Sequence, residues 1–129
     1  MEQAMKLHGA FSWNELMTSD VEGAKKFYSA LLGWDMHDME TCDMGYTMAT
    51  SNGKDAAGIM GIPDDFANMP PAWGGYITVD DVDQQSARAE QLGAKTILPP
   101  QDIPEVGRFT VISDPQGAIL SLITYFEKE

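Results

Sequence analysis

The sequence predicts an α+β fold built from two βαβββ modules in tandem, and three observations lead to this prediction. A helix-start signal occurs twice, at Asp20-Val21-Glu22 and at Asp81-Val82-Asp83. One strand-like segment precedes each helix and three more follow it. A segment rich in proline, residues 63–72, separates the two halves. The same order of elements therefore occurs twice along the chain.

Both helices have recognisable first and last residues. Each begins at an aspartate whose side chain can accept hydrogen bonds from the free backbone N–H groups of the first turn. The acid two residues later lies at the positive end of the helix dipole. Apolar residues then recur at helical spacing until a glycine ends the helix. They are Val21, Ala24, Phe27, Tyr28 and Leu31 before Gly33, and Val82, Ala89 and Leu92 before Gly93.

The strands are predicted from short β-prone runs between turn signals. Asn52-Gly53 is typical of a two-residue hairpin, and Asp114-Pro115-Gln116-Gly117 is typical of a four-residue turn. The predicted strands are 10–17, 34–40, 45–51 and 56–62 in the first half, and 75–80, 95–98, 108–113 and 118–125 in the second. Because a half of about 60 residues buries too little apolar surface to be stable alone, we expect one domain. Module one covers about 8–62, residues 63–72 form the linker, and module two covers about 73–125.

The charge balance excludes some partners. The chain has 20 acidic and 8 basic residues, a formal net charge of -12. Such a charge repels nucleic acid and anionic membranes. It either favours a cationic ligand or only confers solubility. Cys42 is the only cysteine, so it cannot form an intramolecular disulfide. Together with the absence of a long apolar run, this predicts a cytoplasmic protein.

The motifs of both halves resemble a known superfamily. The first half contains Glu15-Leu16-Met17-Thr18-Ser19-Asp20, Phe27-Tyr28 and Leu32-Gly33-Trp34. The second contains Val79-Asp80-Asp81-Val82-Asp83, Leu92-Gly93-Ala94, Gly107-Arg108-Phe109 and Asp114-Pro115-Gln116-Gly117. In this order they resemble the vicinal-oxygen-chelate proteins, which include glyoxalases, bleomycin-resistance proteins and dioxygenases, and especially the single-domain subgroup related to lactoylglutathione lyase. The resemblance implies a mixed, incompletely closed sheet around a cleft, helices on the outside, and a homodimer.

The resemblance also implies where a metal would bind. Metal-dependent members place His, Glu or Gln ligands seven residues before each helix-capping Asp and four residues after the glycine of each last hairpin turn. Here those four positions hold Trp13, Gly74, Ala57 and Ser121. An indole, two side chains without a donor atom and a neutral serine are poor ligands. We therefore expect no metal and no other cofactor.

Two further polar groups leave alternatives open. Asp35, His37 and Glu40 lie close together on one predicted strand, where they form either an unconventional metal site or a solvated polar edge. Arg108 either binds an acidic ligand group or pairs with Asp102 or Glu105.

Strand alternation divides the side chains between two faces. The helix-facing set is Leu16, Ile77, Val79, Leu120 and Leu122, all of them apolar, and Asn14 is the one polar residue at such a position. The facing of Tyr46, Met48 and Phe109 stays open. The cleft-facing set contains aromatic, thioether and polar groups, as ligand pockets usually do. From this set the predicted ligand-binding residues are Trp13, Glu15, Met17, Tyr76, Thr78 and Ser121.

Two of these residues have competing interpretations. If Glu15 is partly desolvated, it acts as a general base or as the counter-charge to a cation. Alternatively, it is a hydrated glutamate at the mouth of the sheet. Trp13 either stacks on a ligand or fills the volume of the missing metal site.

Three functions follow from these observations. The first is a small-molecule-binding protein without the metal, sequestering a cationic or aromatic compound. The second is a lyase, epimerase or dioxygenase of the glyoxalase kind that uses a divalent metal, or Glu15 as the base. The third is a non-catalytic interaction module whose cleft is filled by its own side chains. An open cleft favours the first two functions, and a sealed cleft favours the third.

Overall fold

A computed structural model describes residues 6–39, 45–64, 68–104 and 106–127. These residues form two compact units. The central unit comprises residues 14–74, and the terminal unit comprises residues 1–13 together with 75–129, each within the described ranges. The predictions that involve Glu40, Cys42 and Glu105, and the middle of the predicted linker, lie outside the described residues.

The element order is βαβββ, repeated once, as predicted. The helices are α1 (Val21–Leu32) and α2 (Val82–Gln91). The strands are β1 (Phe11–Thr18), β2 (Asp35–Asp38), β3 (Thr47–Ser51), β4 (Lys54–Gly61), β5 (Ala72–Thr78), β6 (Lys95–Ile103), β7 (Gly107–Ser113) and β8 (Ile119–Tyr125). The α+β class is therefore confirmed. None of the described helices is both long and apolar enough to cross a membrane.

One strand boundary differs clearly from the prediction. Strand β6 continues to Ile103 although Pro99 and Pro100 lie inside it. It is the last strand in the order of its unit, and its pairing with β7 shifts register on both sides of Leu98. Because an irregular edge strand does not need every N–H group for pairing, it tolerates proline.

The central unit has the strand order β2-β3-β4-β1, in which β4 and β1 run parallel and the other pairs antiparallel. Asp20 caps α1 by accepting a hydrogen bond from the Gly23 N–H at 2.9 Å. Lys25 of α1 donates to Asp38 of β2 at 3.0 Å, and Asp38 shares its face of the sheet with Leu16. This face therefore lies under α1, as the sequence predicts for Leu16.

The apolar face predicted for α1 is only partly covered. Val21, Ala24 and Tyr28 are half-buried, but Phe27 is 56% and Leu31 is 62% exposed. The helical spacing is correct, and the prediction that the whole stripe packs inward is wrong. Helical spacing determines which side chains share a face, but not how much of that face a neighbouring element covers.

The terminal unit has the order β5-β8-β7-β6, and the start of β1 adjoins β5. The Gly9 N–H donates to the Thr78 carbonyl at 2.7 Å, and the Thr78 N–H donates to the Ala10 carbonyl at 2.9 Å. Asp81 caps α2 by accepting from the Gln84 N–H at 3.2 Å. The core under α2 contains the predicted residues Ile77, Val79, Leu120 and Leu122, together with Val82, Ala89, Ala94 and Ile112. Leu92, predicted to face this core, is 62% exposed.

Candidate functional site

The face of the central sheet opposite α1 carries a row of residues that crosses all four strands. Glu15 of β1 lies opposite Gly58 of β4, Gly58 lies opposite Met48 of β3, and Met48 lies opposite His37 of β2. Residues that oppose each other on neighbouring strands are about 4.8 Å apart and share a face. The row therefore brings Glu15 close to side chains that are distant in the sequence.

Gly58 leaves space that the Tyr46 side chain occupies. A Cβ atom added to Gly58 would overlap both the hydroxyl and the ring of Tyr46. The hydroxyl end of the Tyr46 ring therefore lies over Gly58, next to the position from which Glu15 projects. This settles the facing of Tyr46 and of Met48, which the sequence left open.

Glu15 is 5% exposed, which is unusual for a carboxylate. Two residues further along β1 and β4, Met17 and Met60 oppose each other on the same face. Met60 is buried, and Met17 and Met48 are half-buried. Both Glu15 and Tyr46 have interaction partners in the structure. Three methionine side chains and the Tyr46 phenol thus lie on the same face of the sheet as the buried Glu15 carboxylate.

The polar groups of β2 are held by protein contacts. His37 is exposed, and its Nε2 lies 3.2 Å from the Thr50 hydroxyl. Hydrogen bonds from Lys25, and then from Thr47, lower the pKa of Asp38. Among the residues that the structure describes, no group of three or more His, Cys, Asp or Glu side chains is placed to hold a metal ion. The site at Asp35, His37 and Glu40 stays a prediction because Glu40 is not described.

In the terminal unit the predicted residues of β5 and β8 lie together. Tyr76 opposes Ser121, and Thr78 opposes Ile123. Tyr76 is 5%, Thr78 4% and Ser121 8% exposed, so all three are buried. Phe109 opposes Ile123 and makes a tilted ring contact with Tyr76, with 6.2 Å between the centroids. These residues share one face, and their role in ligand binding stays a prediction.

Trp13 is half-buried on β1 and has interaction partners. The preceding residue, Ser12, forms a hydrogen bond of 2.8 Å with the Tyr125 hydroxyl. Burial raises the pKa of the Tyr125 phenol, and the Ser12 hydrogen bond opposes this shift. Whether Trp13 stacks on a ligand or fills a volume remains open.

The positions that the family uses for a metal do not fit one here. Ala57 opposes Ala49, on the face that contains Leu16, so its predicted place on the cleft side is wrong. The cause is an irregularity in the β3–β4 pairing, where Thr50 opposes Asp55 but Ala49 opposes Ala57. One extra residue in β4 reverses the alternation. Gly58 takes the place instead and has no side-chain donor atom, so this position cannot bind a metal through a side chain.

Two isolated candidates have structural partners. Arg108 donates to Asp83 at 3.0 and 3.1 Å and to Asp102 at 3.0 Å, which confirms the predicted pair with Asp102 and adds Asp83. Hydrogen bonds to Asp83, and then to Asp102, raise the pKa of Arg108. His8 is exposed, and its Nδ1 accepts a hydrogen bond from the Asp80 N–H at 3.0 Å.

Each unit has a small surface cavity. The cavity of the central unit is about 240 Å³ and is lined by residues that include Val21, Asp38 and Tyr46. That of the terminal unit is about 180 Å³ and is lined by residues that include Asp83 and Arg108. Arg108 lines the second cavity, and neither cavity is lined by Trp13, Glu15, Met17, Tyr76, Thr78 or Ser121.

The chain belongs to the Glyoxalase/Bleomycin resistance protein/Dioxygenase superfamily, whose family model matches residues 10–122. This confirms the resemblance derived from the motifs. Among solved structures, the chain is similar to methylmalonyl-CoA epimerase from Mycobacterium tuberculosis. The TM-score is 0.65 at 17% identity, over 92% of this chain and 89% of the other. At this identity the likeness shows the shared fold.

Two curated relatives are more similar in sequence. One is the "Putative glyoxylase CFP32" of Mycobacterium bovis, 40% identical over 117 residues, which are 88% of this chain and 45% of the relative. The other is the "Anthracycline biosynthesis protein DnrV" of Streptomyces peucetius, 32% identical over 127 residues, with shares of 88% and 46%. The chain thus spans about half the length of the curated relatives that it matches.

Proposed function

We propose that this protein binds an aromatic organic cation on the Glu15 face of its central unit. The observation that supports the proposal most strongly is the Glu15 carboxylate, 5% exposed beside methionine side chains and the Tyr46 phenol. A buried carboxylate is stabilised by a cation that is desolvated next to it. The formal net charge of -12 also raises the local concentration of cations.

The surrounding side chains favour a flat apolar body for this ligand. Met17, Met48 and Met60 are flexible and polarisable, and they adapt to aromatic surfaces. The Tyr46 ring offers a face on which a cation or a second ring can pack. Because one relative is named as an anthracycline biosynthesis protein, we propose the anthracycline class, which combines planar rings with a protonated amino sugar.

Fluorescence titration with doxorubicin tests the proposal, and its aglycone, which lacks the amino sugar, is the control. We expect the protein to bind doxorubicin more than about tenfold more tightly than the aglycone, since only the former offers a cation to Glu15. Equal affinities contradict the role of the charge. If neither compound binds, the result favours the non-catalytic interaction module.

One relative is named as a putative glyoxylase, and this favours a second candidate function, an enzyme in which Glu15 is the base. A carboxylate in apolar surroundings is a stronger base than one in water. We expect any turnover of a hemithioacetal by the wild-type protein to be lost in Glu15→Gln. Turnover that persists in this variant removes Glu15 as the base.

The proposed binding requires no divalent ion. We expect elemental analysis of the protein, purified without chelators, to find no stoichiometric zinc, nickel, iron or manganese, because the four family positions provide no good donor set. One equivalent of any of these metals per chain contradicts this proposal and favours metal-assisted catalysis.

We further propose that a second copy of the chain covers the exposed face of α1. Phe27, Leu31 and Leu32 are 56%, 62% and 50% exposed, and the sequence from Lys25 to Trp34 contains no acid. Two copies that repel each other elsewhere can therefore meet at this apolar face. We expect light scattering to detect a dimer that Leu31→Glu dissociates. Leu92→Glu, at an equally exposed leucine of the terminal unit, is the matched control that keeps the dimer.

A further inference from the structure

The terminal unit contains a buried hydroxyl without a partner. Thr78 is 4% exposed, and its Oγ1 has no hydrogen-bond partner. Among the described residues it is the one buried side-chain oxygen or nitrogen of this kind. A buried polar group that makes no hydrogen bond destabilises the folded state, so such groups usually indicate a missing partner.

Other hydroxyls of the same unit show what satisfied groups look like here. Thr110 donates to the Leu98 carbonyl at 2.7 Å, and Thr124 donates to the Val79 carbonyl at 2.7 Å. Ser12 and Tyr125 share a hydrogen bond of 2.8 Å. The backbone of Thr78 is also fully used, because its N–H donates to Ala10 and its carbonyl accepts from Gly9. The deficit is therefore confined to the Thr78 side chain.

The neighbours of Thr78 on its face combine polar and aromatic groups. Thr78 lies between Ile123 on β8 and the start of β1, two residues from Tyr76, whose strand partner is Ser121. The Tyr76 ring contacts Phe109. This face therefore offers a hydroxyl for one oxygen atom and aromatic side chains for an apolar body.

We propose that Thr78 is the polar contact of a second ligand site, in the terminal unit, for the neutral oxygen of an aromatic ketone or alcohol. The Thr78 hydroxyl donates to a carbonyl oxygen or accepts from an alcohol, and Ile123, Tyr76 and Phe109 pack against the rest of the molecule. No charge is required, since the three side chains that pack against the ligand, Ile123, Tyr76 and Phe109, are neutral. The site does not depend on the cation proposed for Glu15.

Acetophenone and its hydrocarbon near-isostere isopropylbenzene test this site by NMR titration. We expect the wild-type protein to bind the ketone roughly 5- to 10-fold more tightly, because only the ketone satisfies the hydroxyl. Thr78→Val should remove this preference and leave the affinity for the hydrocarbon unchanged. Thr78→Ser retains the hydroxyl and should retain the preference.

A thermal measurement on the free protein gives an independent result. Thr78→Val replaces the unsatisfied hydroxyl by a methyl group of the same shape, so the melting temperature should rise by roughly 2–5 °C. A fall in the melting temperature shows that the hydroxyl already has a partner, such as a buried water, and overturns the proposal. A wild-type protein without preference for the ketone overturns it as well.

Discussion

Glu15→Gln is expected to weaken doxorubicin binding by roughly 30- to 100-fold, since removal of the charge from a desolvated ion pair costs about 2–3 kcal/mol. The amide has nearly the same shape as the carboxylate, so the methionine and tyrosine contacts remain. The affinity for the uncharged aglycone should therefore stay within about twofold of the wild type. Fluorescence titration of both compounds against both proteins measures the difference.

The matched control for this change is Asp35→Asn. Asp35 lies in the central unit and is exposed, so its replacement removes one negative charge without affecting a buried group. Because water screens an exposed charge, its removal changes the binding free energy little. We therefore expect the affinity for doxorubicin to stay within about twofold of the wild type. If Asp35→Asn weakens binding as much as Glu15→Gln, the overall acidity of the protein attracts the cation and Glu15 has no specific role.

The thermal stability of the ligand-free protein gives a second test of the role of Glu15. Burial of a charged carboxylate costs free energy of desolvation, and the neutral amide reduces that cost. If binding of the cation is the reason for the buried charge, Glu15→Gln should unfold at an equal or higher temperature than the wild type. A large fall in melting temperature indicates instead that the interactions of Glu15 within the protein stabilise the fold by more than this desolvation costs. Differential scanning calorimetry distinguishes these results.

Much of the fold was predictable because its signals are local. Asp20 and Asp81 cap their helices through contacts three residues away, and Gly33 takes the left-handed conformation that its position after a helix indicates. The apolar alternation in β5 and β8 predicted the core under α2 correctly. Such signals depend on backbone geometry within one turn or one strand.

The candidate site was predictable only in part, because it depends on register between strands. The sequence identified Glu15 but placed Ala57 on the wrong face. The extra residue in β4 lies within a hairpin that otherwise has a regular Asn-Gly turn. No local sequence pattern identifies this bulge, because a bulge is defined by the pairing between two strands, here β4 and β3. The contact of Tyr46 with Gly58 follows from the same register and was equally hidden.

The exposed leucine and phenylalanine of α1 show a related limit. Spacing predicts which side chains share a helix face, but it does not predict how much of that face one neighbour covers. Phe27 and Leu31 lie on the predicted stripe and are nevertheless exposed. The same pattern suits a core and a surface between two molecules. The elements that pack beside the helix determine which of these two surfaces it forms.

Gly58→Ala is expected to destabilise the protein by about 1–3 kcal/mol, because the new methyl group overlaps the Tyr46 side chain in a packed layer. In an open strand the same change is mildly stabilising, since glycine loses more backbone entropy on folding. The control is Gly61→Ala in the same strand, where the nearest atom to the added Cβ is the Val21 Cγ2 at 4.0 Å. This variant should unfold at the wild-type temperature or slightly above it.

A double-mutant cycle assigns the effect of Gly58→Ala to Tyr46. When Tyr46→Ala removes the ring, the added methyl group meets no neighbour, and Gly58→Ala should then change the free energy of unfolding by less than about 0.5 kcal/mol. Urea unfolding of the four proteins measures this coupling. If Gly58→Ala costs the same with and without the ring, Tyr46 does not lie over Gly58, and Glu15 has lost the neighbour on which the proposed binding face depends. The cycle therefore tests the geometry of the face without any ligand.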